Sequence, residues 1–161
     1  MMDLNSAYEA NVDAVFGYLA LRTASRRTAE DLTQETFERA LRGWLSSDAG
    51  RGDEGVWLLA IARDVYIDWR RSSAADPRNQ LVTSRDQVEG GDGSGVAFGV
   101  DPVITSALRG LSRREREAVA LRFGGTLRTA QVAELLGVSH ANAQQILSRA
   151  LHRLRATLAP H

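Results

Sequence analysis

The segment that most constrains the fold of this chain is residues 129–155, near the C-terminus. They read TAQVAELLGVSHANAQQILSRALHRLR, a short amphipathic segment, a glycine and a longer amphipathic segment. Gly137 supplies the backbone freedom that a tight turn requires, and Ser139 is a favoured cap for the helix that follows. The small side chain of Ala133 lets two helices cross closely. The pattern predicts a helix-turn-helix, whose second helix enters the major groove of DNA.

The second helix of this motif is expected to bury an apolar stripe formed by Ala143, Leu147, Ala150, Leu151, Leu154 and Leu158. Its outward face near the N-terminus is then polar. Asparagine and glutamine can bond the edge of adenine through two hydrogen bonds, and arginine can hold guanine or phosphate. Ile146 lies beside the stripe and is expected to touch a thymine methyl group. A plain helical hairpin mimics this spacing, but it does not need the small residue, the glycine and the caps together.

Charge is divided unevenly along a chain whose net charge is zero. Residues 107–161 contain nine arginines and three glutamates, a net charge of +6. Because the whole chain is neutral, the remainder carries a net charge of −6. This asymmetry indicates two modules with different partners. All twenty basic residues are arginine, whose planar fork suits phosphate and guanine, although a GC-rich coding bias explains that composition at least as well. The absence of cysteine excludes disulfides and thiolate metal sites, and no metal or cofactor is expected.

The periodicity of apolar residues predicts helices throughout and no strand. Three helices are expected in the N-terminal part, near residues 6–24, 28–45 and 54–71, and four in the C-terminal part. Thr28 and Thr129 are predicted helix caps, and Ser112 with Glu115 forms a capping box. Residues 73–102 are acidic and rich in glycine, which is typical of a flexible linker. We therefore expect an all-α fold with two small helical domains, residues 1–72 and 103–161, that are loosely tethered.

Two polar surfaces of the N-terminal part are ambiguous on their own. Asp31, Gln34, Glu35 and Glu38 form an acidic stripe along the second helix, which an ordinary solvated face explains equally well. Arginines near the end of the third helix, Arg63, Arg70 and Arg71, could simply complement the helix dipole.

These segments together resemble a known family. The stretches AEDLTQETFERALRGW (residues 29–44) and WLLAIARDVYIDWRR (residues 57–71) are similar to region 2 of extracytoplasmic-function (ECF, group 4) sigma factors of RNA polymerase. LSRREREAVALRF (residues 111–123) and the helix-turn-helix resemble region 4. The resemblance covers most of the chain except the linker. The pattern D-L-x-Q-E-x-F followed by I-A-R-x-x-x-I-D is fairly specific, whereas many regulators share a helix-turn-helix.

The resemblance implies a sigma factor that directs bacterial core RNA polymerase to promoters and initiates transcription. Its partners are the β′ clamp and β flap of core polymerase and promoter DNA; family members are often held by an anti-sigma factor as well. Core binding then falls on Asp31, Leu32, Gln34, Glu35 and Phe37. Binding of the −10 element falls on Arg51, Arg63, Asp64, Asp68, Arg70 and Arg71. Binding of the −35 element falls on Arg122, Thr129, Ser139, Asn142, Gln144, Gln145, Ser148 and Arg149.

Three positions depart from the family pattern. Asp64 stands where asparagine is usual, and a carboxylate only accepts hydrogen bonds and repels phosphate. Gln144 and Ile146 stand where lysine or arginine is usual, which is expected to weaken phosphate contacts and their salt dependence. These departures indicate an altered promoter preference or a reduced intrinsic activity.

Two alternative functions stay open from the sequence. A helix-turn-helix regulator that acts without polymerase would need a dimer with two half-sites, and it leaves the acidic stripe unexplained. A sigma-derived interaction protein with reduced promoter activity would accommodate the three departures. An enzyme is not expected, because the histidines lack ligand spacing and no nucleophile motif or phosphate loop stands out. Without a recognisable signal peptide or membrane span, a cytoplasmic location is expected.

Overall fold

The computed structural model describes residues 4–45, 53–75 and 101–158. Within these ranges the chain is helical without any strand, so the predicted all-α fold is confirmed. Arg51 and most of the predicted linker lie outside the described residues. No helix within them is long and apolar enough to cross a membrane. The helices are α1 (Leu4–Thr23), α2 (Arg26–Leu45), α3 (Glu54–Ala75), α4 (Pro102–Arg109), α5 (Arg113–Val119), α6 (Thr129–Leu136) and α7 (His140–Leu158).

Helices α1, α2 and α3 pack into an N-terminal unit. Its core contains the fully buried side chains of Val15, Leu19, Leu58 and Val65, which recur at helical spacing. The structure corrects the predicted start of α2. Ser25 caps this helix instead of Thr28, because the Ser25 Oγ accepts the Thr28 backbone N–H at 3.2 Å.

The C-terminal unit begins at Asp101, whose side chain accepts the backbone N–H of Val103 at 2.7 Å and caps α4. The capping box predicted at the start of α5 is confirmed. The Ser112 Oγ accepts the Glu115 N–H at 3.1 Å, and the Glu115 carboxylate accepts the Ser112 N–H at 2.9 Å. These reciprocal bonds satisfy two backbone donors that would otherwise lack a partner at the helix start.

After α5 the helix widens into a π-turn at Ala120–Gly124. The backbone N–H of Gly125 donates to the carbonyl of Ala120 at 2.8 Å, five residues earlier. The sequence predicted only ordinary helices, because the apolar spacing of so short a segment does not distinguish an α-helix from a π-turn. π-Turns inside helices are uncommon and frequently lie at functional sites.

The turn between α6 and α7 has the predicted geometry. Gly137 has a φ of 69°, in the left-handed region that glycine adopts readily. The N–H of Val138 donates to the carbonyl of Ala133 at 3.1 Å, which completes a Schellman ending of α6. The start of α6 is corrected: Thr129 is its first residue, and Arg128 is the cap position, with its N–H donated to the Gln131 side chain at 2.8 Å.

The two units pack against each other, which the sequence did not predict. One continuous core joins residues of α1 and α3 to residues of α5 and the π-turn. At its centre Gly17 of α1 lies against Gly124 of the π-turn. A Cβ atom on Gly17 would lie 2.5 Å from the carbonyl oxygen of Gly124, and one on Gly124 would lie 2.6 Å from that of Gly17. This packing, called the closed arrangement below, requires glycine at both positions.

We expect Gly17→Ala to open the closed arrangement while leaving α1 intact. Alanine favours a helix more than glycine does, by roughly 1 kcal/mol, but its methyl group would clash with backbone that cannot move aside. Overpacking of this kind costs about 1–3 kcal/mol. Small-angle X-ray scattering should show a larger radius of gyration, with unchanged helical content by circular dichroism.

Gly110→Ala is the matched control, because a Cβ there meets only the Ala107 carbonyl at 3.4 Å, an ordinary contact. Its radius of gyration should equal that of the wild type. An unchanged radius for Gly17→Ala would contradict the glycine contact as the determinant of the closed arrangement.

Candidate functional site

The exposed face of α7 carries the polar side chains predicted to read DNA. Ala143, Leu147 and Ala150 are buried, and the polar residues between them face outward. Two details of the predicted stripe are corrected. Ile146 is only 8% exposed and belongs to the core, so it is not available to a thymine methyl group in this structure, whereas Leu158 is 41% exposed. The exposed predicted residues are Asn142, Gln144, Gln145, Ser148 and Arg149.

The other residues predicted for the −35 element support this face. The Ser139 Oγ accepts the Asn142 N–H at 3.0 Å and caps α7. Arg122 donates to the carbonyl of Leu127 at 3.2 Å, so its guanidinium is anchored beside the start of the motif. Thr129 is half-buried at the first position of α6. Cap and anchor fix the backbone from which the exposed side chains project.

The predicted polymerase-binding face lies on α2. Asp31 and Gln34 are exposed, and Glu35 forms an ion pair with Arg39 at 3.1 Å. The ring of Phe37 packs edge-on against that of Tyr8, with centroids 4.8 Å apart. Leu32 requires a correction, because it is only 7% exposed and supports this face from within the core.

A cleft of about 600 Å³ runs between α1 and α2 beside this face. Its apolar lining includes the partly exposed side chains of Tyr8 and Leu41. Three carboxylates, those of Asp13, Glu30 and Glu38, line it with a single arginine, Arg26, which pairs with Glu30 at 2.7 Å. The cleft therefore combines acidic and apolar side chains, a surface suited to a basic amphipathic partner.

The residues predicted for the −10 element lie along α3. Asp64 and Arg71 are exposed. Asp68 pairs with Arg39 at 3.0 Å, and Arg70 donates to the Tyr66 hydroxyl at 3.0 Å. Arg51 lies outside the described residues.

Arg63, also on α3, is occupied by the C-terminal unit. Its Nε lies 3.0 Å from a carboxylate oxygen of Glu117 in α5, and its Nη1 donates to the carbonyl of Leu135 in α6 at 3.0 Å. In the closed arrangement this predicted DNA contact therefore serves the interface between the two units.

Glu117 is the centre of a buried polar cluster between the units. Its carboxylate accepts the Tyr18 hydroxyl at 2.8 and 3.0 Å and lies 3.0 Å from the Nε of Arg22. The Arg22 side chain is only 5% exposed and lies over the Tyr66 ring, 4.5 Å from its centroid. Burial, and next the charge of Glu117, raise the pKa of the Tyr18 hydroxyl well above its usual range, so it stays a donor at neutral pH.

A second polar contact links the units at the start of α3. The Asp53 carboxylate caps α3 by accepting the Gly55 N–H at 2.8 Å, and it also accepts the side-chain amide of Gln131 in α6. Asp53, at the start of α3, is thus tied to the helix-turn-helix.

Sequence reasoning missed Glu117, Tyr18 and Arg22. One signal was present: Glu117 is one helical turn before the fully buried Leu121, on a face that apolar spacing assigns to the core. A carboxylate at such a position requires partners. The sequence does not identify its partners, because they lie on α1 and α3, more than 50 residues before Glu117 in the chain.

Comparisons with known proteins agree with this geometry. The Sigma-70 region 2 family matches residues 7–75, and the Sigma-70 region 4 family matches residues 107–156. SigL of Mycobacterium tuberculosis, an ECF RNA polymerase sigma factor, is 31% identical over 163 residues, which cover 96% of this chain and 88% of SigL. The chain belongs to the ECF sigma factor family. The N-terminal unit is therefore region 2 and the C-terminal unit region 4.

Other members are similarly related. SigM of Bacillus subtilis is 28% identical over 96% of this chain and 94% of its own length. BldN of Streptomyces coelicolor is 31% identical over 94% of this chain, which spans only 58% of the length of BldN. The sigma factor RpoE of Bartonella quintana, solved with the anti-sigma factor NepR, has the same fold, with a TM-score of 0.71, 21% identity and 98% coverage of both chains.

We expect Glu117→Gln to destabilise the closed arrangement strongly. The substitution keeps the shape of the side chain but leaves Arg22 buried without its counter-charge, a change that typically costs about 3–5 kcal/mol. Urea unfolding should show a decrease of this order in the free energy of unfolding. If instead the units separate and water hydrates Arg22, scattering should show a larger radius of gyration.

Glu134→Gln removes the same charge from an exposed side chain of α6 that is not part of the Glu117 cluster, so both measurements should stay unchanged. Equal stability and equal radius for the two variants would show that Glu117 does not hold the units together.

Proposed function

We propose that this protein directs core RNA polymerase to promoters, with region 2 binding core polymerase and the −10 element and region 4 binding the −35 element. Family membership and the exposed face of α7 support this function. A regulator that acts without polymerase is not favoured, because both sigma regions match in the expected order.

The observation that carries the proposal is the division of α7 into a buried and an exposed face. Ser139, Gly137 and the buried Ala143 fix the helix on the body of region 4. The amides and the guanidinium that can bond base edges remain exposed even in the closed arrangement. This placement supports the proposal that the −35 element is read by Asn142, Gln144, Gln145, Ser148 and Arg149.

Core polymerase is proposed to bind the surface formed by Asp31, Gln34, Glu35 and Phe37, together with the neighbouring cleft. The carboxylates steer a basic partner surface, and the exposed apolar lining supplies area to bury. Leu32 contributes by holding α2 in place, since its side chain is buried.

Use of the −10 surface requires the closed arrangement to open. Arg63 is paired with Glu117, and Asp53 is tied to Gln131, so neither side chain is available to DNA while the units are packed. We propose that core polymerase, by binding the two regions at separate places, breaks these contacts and releases α3 for the −10 element. In that state Arg63, Arg70 and Arg71 contact the backbone of the −10 strand.

Transcription with purified core polymerase on a library of genomic fragments tests the function directly. The full chain should yield transcripts whose upstream sequences share two elements at a fixed spacing. Absence of such transcripts, with a core enzyme that is active with another ECF sigma factor, would refute promoter direction.

We expect Asp31→Arg to weaken binding to core polymerase about tenfold, since it reverses a charge on the proposed face. Asp31 is the better test position than Glu35, which also pairs with Arg39. Affinity can be measured by fluorescence anisotropy with labelled full-length protein. Glu9→Arg, an equal charge change at an exposed position of α1, should bind like the wild type. Equal loss in both variants would indicate a general charge effect and contradict the assigned face.

We expect Gln144→Ala combined with Gln145→Ala to lower transcription from a promoter found in the library about tenfold. Each bidentate base contact is worth roughly 1–3 kcal/mol of discrimination. Core binding should be unchanged, because these side chains lie on the exposed face of α7. His152→Ala, which changes an exposed residue two turns further along the same helix, is the control. Unchanged transcription by the double variant would remove these residues from −35 readout.

A further inference from the structure

An arginine-rich cleft lies between region 2 and region 4 in the closed arrangement. Its volume is about 550 Å³, within the range of roughly 300–1,000 Å³ that small-molecule sites occupy. Both regions contribute to its wall, so it exists only while they are packed. Its charged lining consists of one carboxylate, Glu117, and six arginines: Arg22, Arg63, Arg70, Arg71, Arg113 and Arg114.

The single carboxylate leaves most of this positive charge unbalanced. Glu117 pairs with Arg22 and Arg63. Within the described parts of the chain, Arg71, Arg113 and Arg114 have no carboxylate at ion-pair distance, and all three are exposed residues that line the cleft. Bringing the two regions together therefore concentrates cations from both of them around one small space.

A neighbouring arginine responds to this charge. Burial is the main cause that lowers the pKa of Arg116, and the positive charge of Arg22 is the next; Tyr66 acts against them, and Arg70 and Arg113 lower the pKa further. Mutual repulsion of this kind opposes the closed arrangement, and an anion in the cleft would relieve it.

We propose that this cleft binds a small molecule carrying a chain of phosphate groups, and that this ligand holds region 2 against region 4. Arginine forks match phosphate oxygens in pairs, and several phosphates are needed to reach arginines on both walls. Tyr66, Ile67 and Leu136 add an apolar side to the cleft, against which an organic part of such a ligand could pack. Inorganic polyphosphate and a nucleoside polyphosphate share the chemistry that the arginines recognise.

Binding would also oppose promoter recognition, a consequence that rests on the proposed function. The ligand takes up Arg71, one of the arginines assigned above to the −10 strand. It also stabilises the arrangement in which Arg63 stays paired with Glu117. Binding itself depends on neither polymerase nor promoter, so it can be tested separately.

Isothermal titration of the full chain with inorganic tripolyphosphate, at physiological salt and without divalent cations, tests the site. Arg71→Gln from region 2 and Arg113→Gln from region 4 should each weaken binding about tenfold, the loss expected for one charge-assisted contact. Both side chains are exposed, so neither variant should unfold. Arg155→Gln removes an exposed arginine of α7 away from the cleft and should stay within twofold of the wild type.

Gly17→Ala provides an independent arm, because it removes none of the arginines but separates the two walls. Tripolyphosphate should bind this variant at least tenfold more weakly than it binds the wild type. In the wild type, tripolyphosphate should decrease the radius of gyration or keep the protein compact at a higher temperature. Titration with ATP under the same conditions identifies the source. Tighter binding of ATP supports a nucleoside polyphosphate, and equal binding supports recognition of the phosphate chain alone.

Equal affinity of tripolyphosphate for the wild type, Arg113→Gln and Arg155→Gln would overturn the proposal, because it would show only general attraction to a basic surface. Undiminished binding to an opened Gly17→Ala variant would also overturn it. A short DNA duplex that binds with the same dependence on Arg113, while tripolyphosphate does not bind, would assign the cleft to nucleic acid and exclude the small molecule.

Discussion

The buried carboxylate of Glu117 is the interaction on which the closed arrangement depends. A carboxylate removed from water is stable only when hydrogen bonds and opposite charges replace its hydration. Here region 2 provides all three partners, the Tyr18 hydroxyl and the guanidinium groups of Arg22 and Arg63, whereas Glu117 belongs to region 4. The buried charges of the two regions therefore satisfy each other. If the regions separate, water or a new partner must replace these contacts.

The glycine pair explains how the polar cluster becomes buried at all. Gly17 and Gly124 let α1 and the π-turn approach until their backbones touch, which excludes water from the neighbouring Tyr18 and Glu117. The π-turn contributes by ending α5 at a glycine whose backbone faces α1. Steric fit and electrostatics thus support each other. Without the close approach of the glycines, the ion pairs would be exposed to water and weak. Without the ion pairs, the contact would bury an unpaired charge.

The same arginines serve two incompatible arrangements. Arg63, Arg70 and Arg71 lie on the surface assigned to the −10 strand, and all three also line the cleft between the regions. By contrast, the recognition face of α7 and the acidic face of α2 stay exposed in the closed arrangement. Under the proposed function, such a division would permit first encounters with polymerase or the −35 element before opening. The −10 surface would be reserved for the opened state. A phosphate-bearing ligand in the cleft would shift that equilibrium towards the closed state.

The sequence by itself determined the helices, the left-handed turn at Gly137, the capping box at Ser112 and the polar face of α7, because these depend on neighbours within a few residues. It placed the side chains that are predicted to read DNA on one helix face but misjudged Ile146 and Leu158, whose burial depends on where other helices end. Only the tertiary structure decided that the two regions pack together, that Glu117 is their shared charge and that Arg63 is occupied. Those contacts join residues far apart in the chain, and periodicity along one helix carries no information about which distant surface will cover it.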